Sequence, residues 1–305
     1  MTATAPPVDP TAVPRHSGGF GGLTPGGAVG ESSETIVSCL GVEHHQEGAA
    51  VAILILTASP GLVEWNPTEG LAVSDDAGGA YGVTPLSVIS GLGQVEATVW
   101  ITPAVPPEAR TLHLDVDGVL RVNPARGERG VARELSEGPW SIDVDLRPPR
   151  TLSDAPERPA VGRDPDDPQA VPARARALFD GVLPVGQARL VEGSAFCLTA
   201  VERYADRWIA NVVALGPEDA ATATPAVGRA HITAWDDVGT TYRLTALNGA
   251  ADASWSQCSY EAVPALNPDA SVLAVEMTHI PRGRDSGSRR LEIDGPIVFS
   301  SVIPA

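Results

Sequence analysis

Two pairs of acidic residues are the first groups in this sequence that could do chemistry. "DDAGGAYGV" (75–83) and "DDVGTTYRL" (236–244) each set two aspartates, a glycine and a tyrosine at one spacing. Clustered carboxylates suit calcium, a hard cation that takes oxygen ligands. Neither copy carries the D-x-D-x-D-G loop with its closing glutamate, so the spacing favours a turn. Aspartate accepts hydrogen bonds from nearby backbone N–H groups, glycine supplies a positive φ, and the tyrosine opens the next strand. Asp75, Asp76, Gly78 and Tyr81, with Asp236, Asp237, Gly239 and Tyr242, are therefore read as turn residues that define a repeat.

The other constellations resolve in the same way. "DVDGV" (115–119) lacks the bidentate glutamate of a calcium loop and is read as a β-turn. In "EHHQE" (43–47), adjacent strand positions send His44 and His45 to opposite faces, so a solvated hairpin end is preferred to a metal site. Cys39, Cys197 and Cys258 fit no C-x-x-C motif. Cys197 and Cys258 could bridge a sandwich, but the matching positions in the first half are Ser38 and Ala97, so buried thiols are expected. No G-x-S-x-G elbow is present. The reading assigns no catalytic residue, no metal ligand and no cofactor. Trp65, in the loop "VEWNPTEG", and Trp100 and Trp255, phased outward on their strands, are expected to be exposed contact residues.

The elements that must position these groups are short strands. The 305 residues include 31 Gly and 28 Pro, which punctuate strands more readily than helices. "TIVSCLGVE", "AAVAILILT", "VEATVWIT", "RTLHLDV" and "PWSIDVDL" carry branched and aromatic residues between turn clusters. Val95, Ala97, Val99 and Ile101 share one face, and Cys258, Tyr260 and Ala262 repeat that phase. Residues 1–33 read as a disordered Pro/Gly-rich tail and 149–183 as a Pro/acidic linker. Within the linker, "ARARALFD" is given a turn or two of helix. Residues 34–148 and 184–305 are the two folded regions. A linker of this kind lets them reorient unless their interface is large.

The repeat extends beyond the acidic turns. Pro103, Ala104, Pro107 and Ala109 match Pro264, Ala265, Pro268 and Ala270 at the same offset of 161 residues. Val42–Glu43 matches Val201–Glu202 at 159, and Gly138–Pro139 matches Gly295–Pro296 at 157. Small drifts in offset are what loop insertions leave between equivalent strands, so one module has been duplicated. The fold class expected is all-β: two tandem immunoglobulin-like antiparallel β-sandwiches. The order D-D-x-G-x-x-Y, strand, P-A-x-x-P-x-A, strand, G-P resembles uncharacterised, arginine-rich actinobacterial proteins expected to carry such tandem modules. That resemblance implies a fold and no activity.

Charge and composition narrow the function. A net charge of −17 opposes nucleic acid as a partner, because phosphates would be repelled. All 21 Lys+Arg residues are arginine, which removes Schiff-base and phosphate-loop lysine chemistry. The longest apolar run, 49–58, is too short to span a bilayer, and the first residues lack a secretory pattern. The expectation is a cytoplasmic, non-enzymatic structural or interaction protein whose partner is another protein, with neither nucleic acid nor membrane insertion. The alternatives are a carbohydrate- or small-ligand-binding module, and a hydrolase whose carboxylate pair is assembled only by the fold.

Overall fold

The computed structural model describes residues 19–32, 34–58, 61–123, 132–147, 155–159, 174–175, 178–217, 224–282, 292–293 and 296–303. The first module runs β1 (Phe20–Pro25), β2 (Val29–Glu31), β3 (Thr35–His45), β4 (Ala49–Thr57), β5 (Leu62–Glu64) and a single-turn helix α1 (Pro67–Gly70). It continues with β6 (Leu71–Asp75), β7 (Ala80–Gly91), β8 (Gln94–Thr102), β9 (Thr111–Asn123) and β10 (Ala132–Asp145). The second runs β11 (Phe179–Val191), β12 (Ser194–Tyr204), β13 (Trp208–Leu215), β14 (His231–Asp236) and β15 (Thr241–Ala251). It ends with β16 (Trp255–Val263), β17 (Val272–Thr278), β18 (Ile280–Pro281), β19 (Glu292–Ile293) and β20 (Ile297–Val302).

The chain is all-β, and its two halves share one strand order. The first sheet is β1-β3-β4-β8-β7-β6-β9-β10 and the second β11-β12-β13-β16-β15-β14-β17-β20, antiparallel throughout. Each ribbon folds into two layers at one long strand that changes partner after its first two residues. β7 pairs with β6 at Ala80 and Tyr81, then with β8 from Gly82 onward. β15 does the same with β14 and β16.

Alternation fills each module from inside. Val95, Ala97, Val99 and Ile101 are buried with Leu112, Leu114 and Val116 in the first core. Cys258, Tyr260, Ala262, Leu273, Val275 and Met277 hold the matching places in the second. Fully burying one such aliphatic side chain is worth about 1.5–3 kcal/mol. The run "AAVAILILT" does not alternate because β4 is covered on both faces. Val51, Ile53 and Ile55 face the first core, whereas Leu54 and Leu56 face the second module with Ile36, Leu40, Ala200 and Ile209.

That second cluster is a seam, and it changes the expected domain picture. The modules pack sheet against sheet through β3, β4 and β8 on one side and β12, β13 and β16 on the other. Reorientation about the linker is thereby opposed by an apolar interface. The first strands belong to the seam too. Phe20 and Leu23 of β1 cover Cys197, Val213 and Trp255 of the second module. Phe179 and Val182 of β11 cover Ile36, Leu54 and Leu56 of the first. The expected tail thus contains β1 and β2, which leave the disordered reading because Phe20 and Leu23 find apolar cover; residues 1–18 lie outside the described residues. The expected linker already ends at Phe179, and Phe179–Asp180 of "ARARALFD" is strand rather than helix. "DVDGV" is no turn: it lies inside β9 and pairs with β10 on both sides of a register shift opposite Asp117, between Glu137 and Trp140.

Candidate functional site

Both acidic turns spend their carboxylates on the backbone. Asp75 Oδ1 accepts from the amides of Ala77 (2.9 Å) and Gly79 (2.7 Å), and Tyr81 donates its hydroxyl to Oδ2. Asp236 Oδ1 accepts from Val238 (3.2 Å) and Thr240 (2.7 Å), and Tyr242 donates to Oδ2 at 2.6 Å. The second aspartate of each pair reaches another loop. Asp76 Oδ1 takes the amides of Arg110 and Thr111, and Asp237 Oδ1 takes those of Ser271 and Val272. Gly78 and Gly239 hold φ of +91° and +88°, which is where glycine is favoured. The Tyr81 hydroxyl, then the amides, holds the Asp75 carboxyl below its ordinary value. Burial, then the Asp75 hydrogen bond and charge, pushes the tyrosine up. The eight sequence-defined residues are brought together as two copies of one turn. Among the described residues no group of three or more His, Cys, Asp or Glu could hold a metal.

The tryptophans depart from expectation. Trp65, Trp100 and Trp255 are only 8%, 3% and 5% exposed. Outward phase does not mean solvent when a second layer covers the outer face. Trp255 is roofed by Phe20 and Leu23. Trp100 packs against the His45 ring at 5.2 Å, and Phe20 meets that ring from another side at 5.8 Å. Trp65 folds into the first core beside α1, with its indole Nε1 unpartnered. The same covering overturns the solvated reading of "EHHQE": Glu43 and His45 are buried, and His44 bonds Thr24 at 2.8 Å. The thiols are free and buried, as expected; burial raises Cys39 and Cys258 to about 12. Cys197 and Cys258 lie in different clusters, on opposite faces of their sheet.

One buried constellation of charge was invisible in the sequence. Arg174, beyond the first module and before β11, enters the seam and pairs with Glu202 (Nη2 to Oε1, 2.6 Å) and Glu96 (Nη1 to Oε2, 2.6 Å). Asn211 and Tyr204 also donate to Glu202, at 2.8 and 2.7 Å. Asn248 and Ser259 donate to Glu96, at 3.0 and 3.1 Å. Burial disfavours the Arg174 charge, but Glu202 and Glu96 outweigh it and hold its pKa well above the ordinary value. Besides Arg174, the donors around the carboxylates come from β12, β13 and β16 of the seam and from Asn248 of the adjoining β15. The group works as a lock between modules. Upstream of it, Pro156 accepts from the Trp235 indole at 2.9 Å and Arg158 pairs with Glu276 at 2.8 Å, tying this stretch to the second module.

Two concavities face outward on the first module. One, of about 480 Å³, is lined by Glu64, Trp65, Asn66, Glu69, Gly70, Asp117, Gly118 and Leu120. The other, of about 550 Å³, lies between the bend after β1 and the outer edge of β10, with Pro25, Gly26, Ala28, Asp143, Val144, Asp145, Arg147 and Pro184 around it. The chain matches no family model and no curated protein. Among solved structures it is similar to "The crystal structure of the conserved domain protein from Bacillus anthracis", at 12% identity and a TM-score of 0.29. The match covers 90% of this chain and 88% of that one. No helix among the described residues is long and apolar enough to cross a membrane.

Proposed function

We propose that this protein is a non-enzymatic interaction protein: a duplicated β-module locked into one body that presents strand edges and concavities to another protein. The observation that carries this reading is the Arg174–Glu96–Glu202 lock. All three of its charged side chains are buried, and their polar atoms are taken up by the seam. An arrangement that leaves its carboxylates bonded on all sides positions modules and offers no atom to a substrate. The immunoglobulin-like kinship of the modules, the actinobacterial likeness and a cytoplasmic setting belong to the same reading. The test is affinity capture from the source organism with the full chain, followed by reconstitution from purified partners. A direct complex at micromolar affinity or better supports it. Turnover of a defined substrate by pure protein, lost on one conservative substitution, overturns it.

A second reading has its own observation. The buried, unpartnered Trp65 indole N–H borders the 480 Å³ concavity, whose rim carries Glu64, Glu69 and Asp117. A small ligand with a cationic group and a hydrogen-bond acceptor fits that chemistry. Titration of a panel of amines and amino sugars, with Trp65→Phe as control, decides it: loss of binding in the variant supports the ligand site, and no binding to either protein removes it.

A further inference from the structure

The second module shows what completes the strand edge that the first leaves open. In the second module β20 is the last strand of its sheet. Its outer edge is met by a side chain: Gln187 of β11 donates from Nε2 to the Ser300 carbonyl and accepts from the Ser300 amide at 3.0 Å. One carboxamide thus satisfies both backbone groups of an edge residue, as a neighbouring strand would. Gln187 is buried, and so is Ser300.

The equivalent residues in the first module are fixed by register. Pro184 pairs with Ala200 and Gln187 with Leu198, while Pro25 pairs with Gly41, and Cys39 donates to the Ala28 carbonyl at 3.1 Å. Ala28 therefore stands where Gln187 stands. Ser300 opposes Ala274, and Asp143 opposes His113, so Asp143 stands where Ser300 stands. In an antiparallel ladder both backbone groups of one residue point the same way, so those of Asp143 face away from β9. Alanine has no amide to offer them. No strand among the described residues pairs with that side of β10. Gly30 of β2 packs against Trp140–Ile142 without pairing, and beyond it, beside Asp143, lies the 550 Å³ cleft, with exposed Asp143 and Asp145 side chains at its rim.

We propose that this cleft is a docking site for an extended segment of a partner protein, which supplies to Asp143 the amide group that Gln187 supplies to Ser300. The amide belongs either to the segment's main chain or to a Gln or Asn side chain. Strand addition at an open edge draws its affinity from such main-chain bonds. The inference rests on the reading of the protein as an interaction protein and names the surface it uses.

The experiment takes the full chain and, as probe, a blocked synthetic peptide of residues 183–190, LPVGQARL, with a second peptide in which the glutamine is leucine. Backbone amide exchange at Asp143 and Asp145 is followed as each peptide is added. Slowing of both amides by at least tenfold supports the site. Slowing by the glutamine peptide alone assigns the side-chain source, and slowing by both assigns the main chain. Ala28→Gln should fill the cleft from within, slow the same exchange without peptide and weaken peptide binding at least tenfold. Asp143→Pro removes the outward N–H at an edge position that tolerates proline, and should also weaken binding. The proposal is overturned if neither peptide slows the amides, if Ala28→Gln and Asp143→Pro both leave binding unchanged, or if exchange at Asp143 is already slow in the free chain. A reconstituted complex that survives Ala28→Gln unweakened would remove this edge while sparing the broader reading.

Discussion

Thr98 donates its hydroxyl to Gln257 Oε1 at 3.1 Å, and the reverse of that bond sits beside it: Ser259 donates to Glu96 Oε1, also at 3.1 Å. Thr98 and Ser259 are equivalent positions of the repeat, and so are Glu96 and Gln257, by their pairing across β4 and β13. The seam is therefore self-complementary, in the manner of a twofold dimer interface. The crossing of β1 with β11 obeys the same symmetry. A Cβ on Gly27 would lie 3.4 Å from Pro184, and one on Gly186 would lie 2.6 Å from Pro25. The face pairs two halves of one chain as a twofold interface pairs two identical chains.

Arg174 is expected to carry the largest single contribution to the lock; the residue that matches it at the offset of 159, Arg15, lies outside the described residues. Arg174→Ala leaves Glu96 and Glu202 buried without their shared cation, which costs about 3–5 kcal/mol. Replacing all three, with Arg174→Met, Glu96→Gln and Glu202→Gln, should recover most of that loss, because uncharged groups carry less desolvation cost. Denaturant midpoints of the two variants check this. Equal midpoints for wild type and Arg174→Ala would show that the cluster is bystander chemistry.

The two acidic turns make a prediction with a sign. Asp75, Asp76 and Asp237 are all held below the ordinary carboxylate value of 3.8 by the hydroxyl and amides they accept from. A depressed folded-state pKa contributes stability above the unfolded value and loses it as pH falls through the folded one. Stability should therefore drop below about pH 4, and Asp75→Asn should flatten that drop while lowering stability at pH 7. Tyr242→Phe removes a buried bond to a carboxylate and should cost about 1.5–3 kcal/mol. Tyr81→Phe, at a half-buried position, should cost less. Urea midpoints measured from pH 2 to pH 7 test both statements.

How much of this was legible depends on which face of a strand a residue occupies. The inward set and the acidic turns could be read, because period-two alternation and Asp/Gly turn chemistry are local. The repeat could have been followed further: Phe20, Gly22, Pro25 and Gly27 match Phe179, Gly181, Pro184 and Gly186 at the offset of Val42–Glu43 and Val201–Glu202. Carrying that offset upstream would have moved β1 out of the tail. The outward set was not legible. Glu96, Thr98 and Trp100 have the composition of a solvated face, and only the packing of a second sheet turns them into an interface. Nothing local in "PARARALFD" distinguishes Arg174 from its neighbouring arginine, since both its partners are distant in sequence.

Gly186 is the tightest point of the crossing between modules. Its φ is +57°, and a Cβ would stand 2.6 Å from Pro25 Cδ and 2.8 Å from the Pro25 nitrogen. Gly186→Ala therefore meets rigid ring and backbone, which cannot swing aside as a flexible side chain would. The expected cost is about 1–3 kcal/mol, from strain and overpacking together. Gly27→Ala should be milder for packing, because its nearest contact is 3.4 Å, although its φ of +105° still penalises a side chain. Thermal midpoints that rank wild type above Gly27→Ala above Gly186→Ala would fit this geometry; the opposite rank would place the close approach elsewhere.

The seam also predicts what happens when the chain is cut between its halves. A protease site inserted between residues 160 and 170 and cleaved in the folded protein leaves each half with its own sheet and its share of the interface. Phe20 and Leu23 of one half still cover Trp255 of the other, and Phe179 and Val182 still cover Leu54 and Leu56. Covalent linkage only raises the effective concentration of a pairing the side chains already specify. The two fragments should elute together on size-exclusion chromatography at micromolar concentration. Arg174→Ala should loosen the nicked pair more than the intact chain, because the cut removes the linkage that masks a weakened lock. Separation of the fragments with Arg174 intact would mean that the linker, and not the interface, holds the modules together.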